Sequence, residues 1–226
     1  MRKPHIDGRD VHGAIVPPAG VAPAATEHPQ AESALKGKMM LRSSLHGAAA
    51  GLCILAAGIT TAAAAEVVVP MYIIDEKGVG VPLGKITLKE SKRGTLLLDL
   101  DLMNILPDGT HGFHVHEKGD CGPGMKDGKA VAGLAAGGHY DPAKTGKHLG
   151  PSGDGHLGDL PAIYIEIDED GFKPVTHTLT APRLKIADVL GKALVIHADG
   201  DNYRDTPLPL GGGGARVACG VVPVKI

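Results

Sequence analysis

Tryptophan is absent from the chain, and Phe and Tyr bring the aromatic share to only 3%. Any core must therefore be filled by Val, Leu, Ile and Ala instead of large rings. Charge of one sign is equally scarce: 23 Lys and Arg stand against 25 Asp and Glu, a formal net charge of -2. Without a concentrated basic face, nucleic acid and acidic membrane surfaces are not expected as partners. No apolar run reaches the roughly 20 residues of a membrane-spanning helix, so no stable membrane anchor is expected either. Glycine, in contrast, is abundant at 33 residues. It separates short apolar runs, which favours an all-β domain over a helical one.

The N-terminal third differs in composition from the rest. Residues 1–38 are rich in Pro, Ala, Gly and His without helical or strand periodicity, and read as a disordered or upstream-start extension. From Met39 or Met40 a new pattern begins, with basic Arg42, an apolar run over 48–59 and small residues over 62–65. This is the pattern of a signal peptide over 39–65, cleaved at the Ala-x-Ala of Ala63 and Ala65, leaving a mature domain of residues 66–226. Cys53 lies in the apolar run and leaves with it. Lipid attachment at Cys53 is disfavoured, because apolar residues continue where a lipoprotein would be cleaved. Cys121 and Cys219 remain, and an even pair in an exported chain reads as one disulfide, stabilising the fold by about 2–4 kcal/mol.

Past Glu66 the strand signature is clearest over 95–102, where Leu96, Leu98, Leu100 and Leu102 alternate with Leu97, Asp99 and Asp101. Further candidate strands are 67–74, 85–90, 112–117, 162–167, 175–179, 192–198 and 217–224. Eight strands with no long helix predict an antiparallel sandwich or barrel. Two long segments, 118–160 and 199–215, interrupt the pattern. Structureless loops of that length are usually functional and need something to order them.

The run from His111 through His114 and His116 to Glu117 lies on a predicted strand. Residues two apart share a strand face, so His114 and His116 present both imidazoles to one side, where a borderline cation such as copper can be held. His111 is out of phase and reads as structural. Two exposed histidines on a sheet surface would produce the same local pattern. Downstream, His139, His148, His156 and Asp159 are spread over a Gly-rich loop. Three imidazoles and a carboxylate make a complete tetrahedral set for structural zinc, although histidines can also decorate a solvated turn. His197 ends the strand candidate 192–198, ready to join His114 and His116.

At these residues the sequence resembles the copper-zinc superoxide dismutase family, in its bacterial exported type. The stretches Gly112-Phe-His-Val-His-Glu117, Gly137-Gly-His-Tyr-Asp-Pro142, Lys147-His-Leu-Gly-Pro151, Gly155-His-Leu-Gly-Asp-Leu160 and Gly213-Gly-Ala-Arg-Val-Ala-Cys-Gly220 resemble that family's motifs in the family's order. The resemblance implies an eight-stranded Greek-key β-barrel with two long functional loops, and one copper and one zinc ion per subunit. It places copper on His114, His116, His139 and His197, and zinc on His139, His148, His156 and Asp159, with His139 bridging. Cys121 and Cys219 match the family disulfide. Asp201 matches the carboxylate that links a copper histidine to a zinc histidine, with Asp199 a weaker candidate for that role. Arg216 matches the arginine that attracts and orients a small anion, although a surface arginine paired with a carboxylate would look the same.

The implied reaction is dismutation of superoxide to dioxygen and hydrogen peroxide by redox cycling of copper, with His139 as proton donor. The implied location is the periplasm, and family members occur both as monomers and as homodimers. Because the net charge is wrong for attracting an anion, steering falls to local charges. Lys118, Lys126, Lys129, Lys144, Lys147 and Arg204 are the loop candidates. A copper-binding or copper-delivery protein on the same barrel is the alternative. It would lack a copper ligand or the arginine, or carry additional Cys/Met copper sites, and the mature sequence has none of these departures.

Overall fold

The computed structural model describes residues 65–166 and 174–225. The expected extension over 1–38 and the leader over 39–64, including Cys53 and Ala63, lie outside the described residues. Among the described residues, no helix is long and apolar enough to cross a membrane.

Alternating burial builds the sheet. In β1 (Glu66–Asp75), Val67, Val69, Met71 and Ile74 point inward. β1 pairs with β2 (Gly78–Glu90), which pairs with β3 (Leu96–Leu102), where the four even-numbered leucines are buried and Asp99 and Asp101 face outward. β2 starts well before the predicted 85–90. After β3 come β4 (Gly109–His111), β5 (Phe113–His116), the short hairpin β6 (Gly124–Lys126) and β7 (Lys129–Val131), and β8 (Ile163–Ile165). Then follow β9 (Thr178–Ala181), the single helical turn α1 (Ile186–Val189), β10 (Ala193–His197) and β11 (Arg216–Val221).

Seven of these strands form one antiparallel sheet in the order β5-β10-β11-β1-β2-β3-β9, while β4 pairs with β8. β4 and β5 are one strand path interrupted at Gly112. There Gly112 donates its N–H to the Asp199 carbonyl and accepts the His197 N–H on its own carbonyl, both at 2.8 Å. The eight-strand series is thus β8, β4/β5, β10, β11, β1, β2, β3, β9. The connections from β3 to β4, β8 to β9 and β9 to β10 cross from one side of it to the other, making a Greek-key β-barrel.

Several predicted boundaries move. The candidate over 175–179 becomes β9 three residues later, with Val175 retained only as a bridge to Leu102, and the candidate over 217–224 ends at Val221. The segment 118–160 is not wholly irregular, since it carries the β6–β7 hairpin and a 3-10 turn at Leu134–Ala136. The core is aliphatic, as the scarcity of rings requires: Phe113 is its one fully buried aromatic side chain among the described residues.

Cys121, at the start of the first long loop, is disulfide-bonded to Cys219 in β11 across 98 residues of chain, with 5.7 Å between the Cα atoms. Closing so long a loop restricts the unfolded chain most where the folded chain has least regular structure. Replacing both cysteines by alanine is expected to lower the unfolding free energy by about 2–4 kcal/mol, measured by urea denaturation of the metal-free protein. An unchanged midpoint would show that the bridge adds nothing to the fold.

Candidate metal centre

All four side chains of β5 are buried, with Phe113 and Val115 in the core and His114 and His116 on the opposite face. The long loop runs back along that face as an extra, irregular strand. Tyr140 donates its N–H to the Val115 carbonyl, Gly158 donates to Tyr140, and Val115 donates to Gly158, all at 2.8–2.9 Å. Position 158 must be glycine, because a Cβ there would lie 2.4 Å from the Val115 carbonyl oxygen. This pairing sets His139 opposite His116 and Asp159 opposite His114. His197, at the end of β10, arrives beside them through the β5–β10 pairing.

Two groups of potential ligands result. The ring nitrogens of His114, His116, His139 and His197 lie within 4.8 Å of one another, and so do ligand atoms of His114, His139, His148 and Asp159. His114 and His139 belong to both groups, their rings stacked 3.9 Å apart. The hydrogen bonds identify which nitrogens are free. His116 Nδ1 donates to the Gly137 carbonyl (3.0 Å) and His197 Nδ1 to the Gly214 carbonyl (3.2 Å). Their Nε2 atoms, 3.4 Å apart, therefore both present lone pairs. His114 Nε2 and His148 Nε2 donate to the two oxygens of Asp201, each at 2.8 Å, which turns both Nδ1 atoms away from it. Asp201, not the exposed Asp199, makes this link.

The Nδ1 atoms of His114, His148 and His156 are buried without any hydrogen-bond partner. Native interiors rarely leave such groups unsatisfied. The Nδ1 atoms of His139, His148 and His156 lie 3.1, 3.0 and 3.4 Å from Asp159 Oδ1. A tetrahedral zinc site with bonds of about 2.0–2.1 Å has ligand-to-ligand edges of about 3.3 Å. These three edges to Asp159 fit zinc in chemistry and spacing, although the close-packed group of four there holds His114 in place of His156; the nitrogen-only set fits copper.

Electrostatics keeps most of these rings neutral. Burial pushes His116 well below the ordinary histidine value, His139 down to about 4 and His197 to about 3. At His148 burial acts in the same direction, but hydrogen bonds and charge from Asp159 and Asp201 outweigh it and raise the group to about 9. Burial alone would raise both carboxyls, yet the His139 and His148 rings beside Asp159, and hydrogen bonds from His114 and His148 to Asp201, hold them well below the usual carboxylate range.

Arg216 opens β11 opposite His197. Its guanidinium donates to the Gly133 and Gly137 carbonyls, the latter at 2.6 Å, so the surface-pair alternative does not describe it. His111 is buried, with one ring nitrogen on the His197 carbonyl and the other on the Pro107 carbonyl, in keeping with a structural role. Lys118, Lys126, Lys129, Lys144, Lys147 and Arg204 are all exposed. Sequence reasoning overlooked the Gly137 carbonyl, shared by Arg216 and His116, and Asp205, which accepts the His148 backbone N–H at 3.0 Å. It also missed Arg183, whose guanidinium reaches three carbonyls of the 151–156 turn. Asp205 sits four residues after Asp201 in a turn-rich run, a spacing that could have flagged it; a backbone carbonyl leaves no such trace.

Comparison with known proteins agrees with this geometry. A family model described as copper/zinc superoxide dismutase (SODC) matches residues 83–222. The superoxide dismutase [Cu-Zn] of Escherichia coli (strain K12) is 51% identical over 173 residues, 76% of this chain and 96% of that protein. That of Brucella abortus is 49% identical over 155 residues, 68% of this chain and 86% of its own. Among solved structures, Cu/Zn superoxide dismutase from Brucella abortus matches with a TM-score of 0.65 and 48% identity, covering 70% of this chain and 99% of that one. The monomeric copper, zinc enzyme from Salmonella enterica matches with a TM-score of 0.61 and 50% identity, over 70% of this chain and 99% of its own. The family model spans more than half of the chain and these relatives are about half identical over more than two thirds of it: the chain belongs to the copper/zinc superoxide dismutase family.

Proposed function

We propose that this chain is a superoxide dismutase that binds copper through His114, His116, His139 and His197, and zinc through His139, His148, His156 and Asp159. The observation that carries this reading is that a nitrogen-only group and a mixed nitrogen–carboxylate group lie side by side and share the rings of His114 and His139. The reaction converts two superoxide anions and two protons into dioxygen and hydrogen peroxide. Bound copper supplies the one-electron couple that takes an electron from one superoxide and gives it to the next.

The chain's own residues do the remaining work. Gly137 and Gly214 carbonyls orient His116 and His197, and Asp201 orients His114 and His148, each by accepting the N–H remote from the ligand nitrogen. His139 differs, because its Nδ1 faces Asp159 and not a backbone carbonyl. It can therefore hold a proton at Nε2 and pass it to the peroxide being formed while Nδ1 stays in place. That ring borders a cavity of about 340 Å³ lined also by His197, Asp199, Gly213 and Gly214, which opens it to solvent protons. Arg216, half-buried and fixed by two carbonyls beside His116, supplies a positive charge that attracts and orients the anion where the net charge of -2 does not.

The leader pattern over 39–65 and the Cys121–Cys219 disulfide support export to the periplasm, with the working domain over 66–226. No observation favours the copper-delivery alternative, since the ligand set and Arg216 are both in place.

Residues 66–226, oxidised and loaded with copper and zinc, are expected to dismutate superoxide rapidly, whereas the same protein with zinc alone should be inactive. Full copper occupancy with a formed disulfide and no activity would sink the proposal. A second prediction concerns Asp201→Asn, which removes the charged acceptor shared by His114 and His148. Zinc affinity, read by chelator competition, should fall by about 10–100-fold while the far-UV circular dichroism is retained. Wild-type affinity in this variant would remove Asp201 from the metal-supporting role.

A further inference from the structure

The ring nitrogens of His114, His116, His148 and His197 that face away from the metal sets each have an acceptor, either a carboxylate or a backbone carbonyl. Among the described residues the His156 ring has no hydrogen bond at either nitrogen, so its approach to Asp159 depends on where its backbone sits. That backbone belongs to a tight turn. His156 donates its N–H back to the Lys147 carbonyl at 2.8 Å, and a Cβ on Gly155 would lie 2.3 Å from that same oxygen.

One side chain from a distant segment grips the turn. Arg183 Nε donates to the Pro151 carbonyl at 3.2 Å, one terminal nitrogen donates to the Gly155 carbonyl at 3.1 Å, and the other donates to the His156 carbonyl. Gly155 and His156 are buried, so water is a poor substitute for these donors. The Gly155 and His156 carbonyls belong to the two peptide planes that flank the His156 Cα. Because each peptide is planar, holding both carbonyls fixes φ and ψ of His156 and hence the direction of its Cβ. The base of Arg183 is itself anchored. Ala181 and Leu184 on either side are buried, and the Leu184 carbonyl accepts the Leu96 N–H of β3 at 3.0 Å. The fork thus transmits the position of the sheet to the turn.

We propose that Arg183 is a positioning residue for zinc, presetting His156 Nδ1 toward Asp159 before any metal arrives. This rests on the zinc assignment above. A guanidinium suits the task because its planar fork serves three acceptors at once, which an ammonium on a flexible stem does not.

The test uses the oxidised, metal-free chain, titrated with zinc against a chromophoric chelator and with cobalt(II) as a spectroscopic probe of four-coordination. Arg183→Met should weaken zinc binding by about 10–100-fold and reduce the intense visible bands of tetrahedral cobalt. Arg183→Lys should fall between the two. In a double-mutant cycle with His156→Ala, the Arg183→Met change should add little once His156 is gone, because it acts through that ring. Equal losses in the wild-type and His156→Ala backgrounds would mean a general effect on the fold and would overturn the proposal, as would wild-type zinc affinity in Arg183→Met. Should Arg183→Met fail to fold, Arg183→Lys decides, with undiminished zinc affinity counting against the role. Absence of four-coordinate cobalt in the wild-type chain would instead overturn the zinc assignment itself.

Discussion

The two hydrogen bonds that His114 and His148 donate to Asp201 are the constraint on which the centre depends. They hold an N–H of each ring on Asp201, and so turn the Nδ1 atoms toward the metal sets. They also join two parts of the chain that share no regular structure, the turn around His148 and the segment after His197. Asp205, accepting the His148 backbone N–H, and Tyr203, whose hydroxyl accepts the Ala162 N–H at 2.9 Å, extend the same junction. Without it the two long loops would be separate flaps on a barrel.

The barrel and the site pull in opposite directions energetically. The inner face of β5 adds Phe113 and Val115 to an aliphatic core, while its other face buries imidazoles that need partners. Each buried nitrogen left without a hydrogen bond costs roughly 1–3 kcal/mol. The metal-free chain carries that cost at His114, His148 and His156. Bound cations relieve it, so metal loading stabilises the folded chain.

How much of this was legible in the sequence follows from what kind of group does each job. The leucine alternation of β3 and the His114–His116 pair are side-chain patterns, and they appear in the structure where the periodicity placed them. His139, His148, His156, Asp159 and Asp201 were visible because ligation requires particular side chains, and the motif order made them specific. The break between β4 and β5 was not legible, because it arises from hydrogen bonds that Gly112 makes to residues far along the chain. The supports at the Gly137 and Gly214 carbonyls were equally hidden, since every residue has a carbonyl. The same is true of the three oxygens gripped by Arg183.

The Gly137 carbonyl oxygen accepts from both His116 and Arg216, and so ties the proposed copper ligand to the cation proposed to attract the anion. Both side chains stand on strands, β5 and β11, so their spacing is set by the sheet, and the loop reaches both through that one oxygen. Thermal motion of a long loop is compatible with fast chemistry on this account, because the loop need not be still for two groups rooted in the sheet to stay in register.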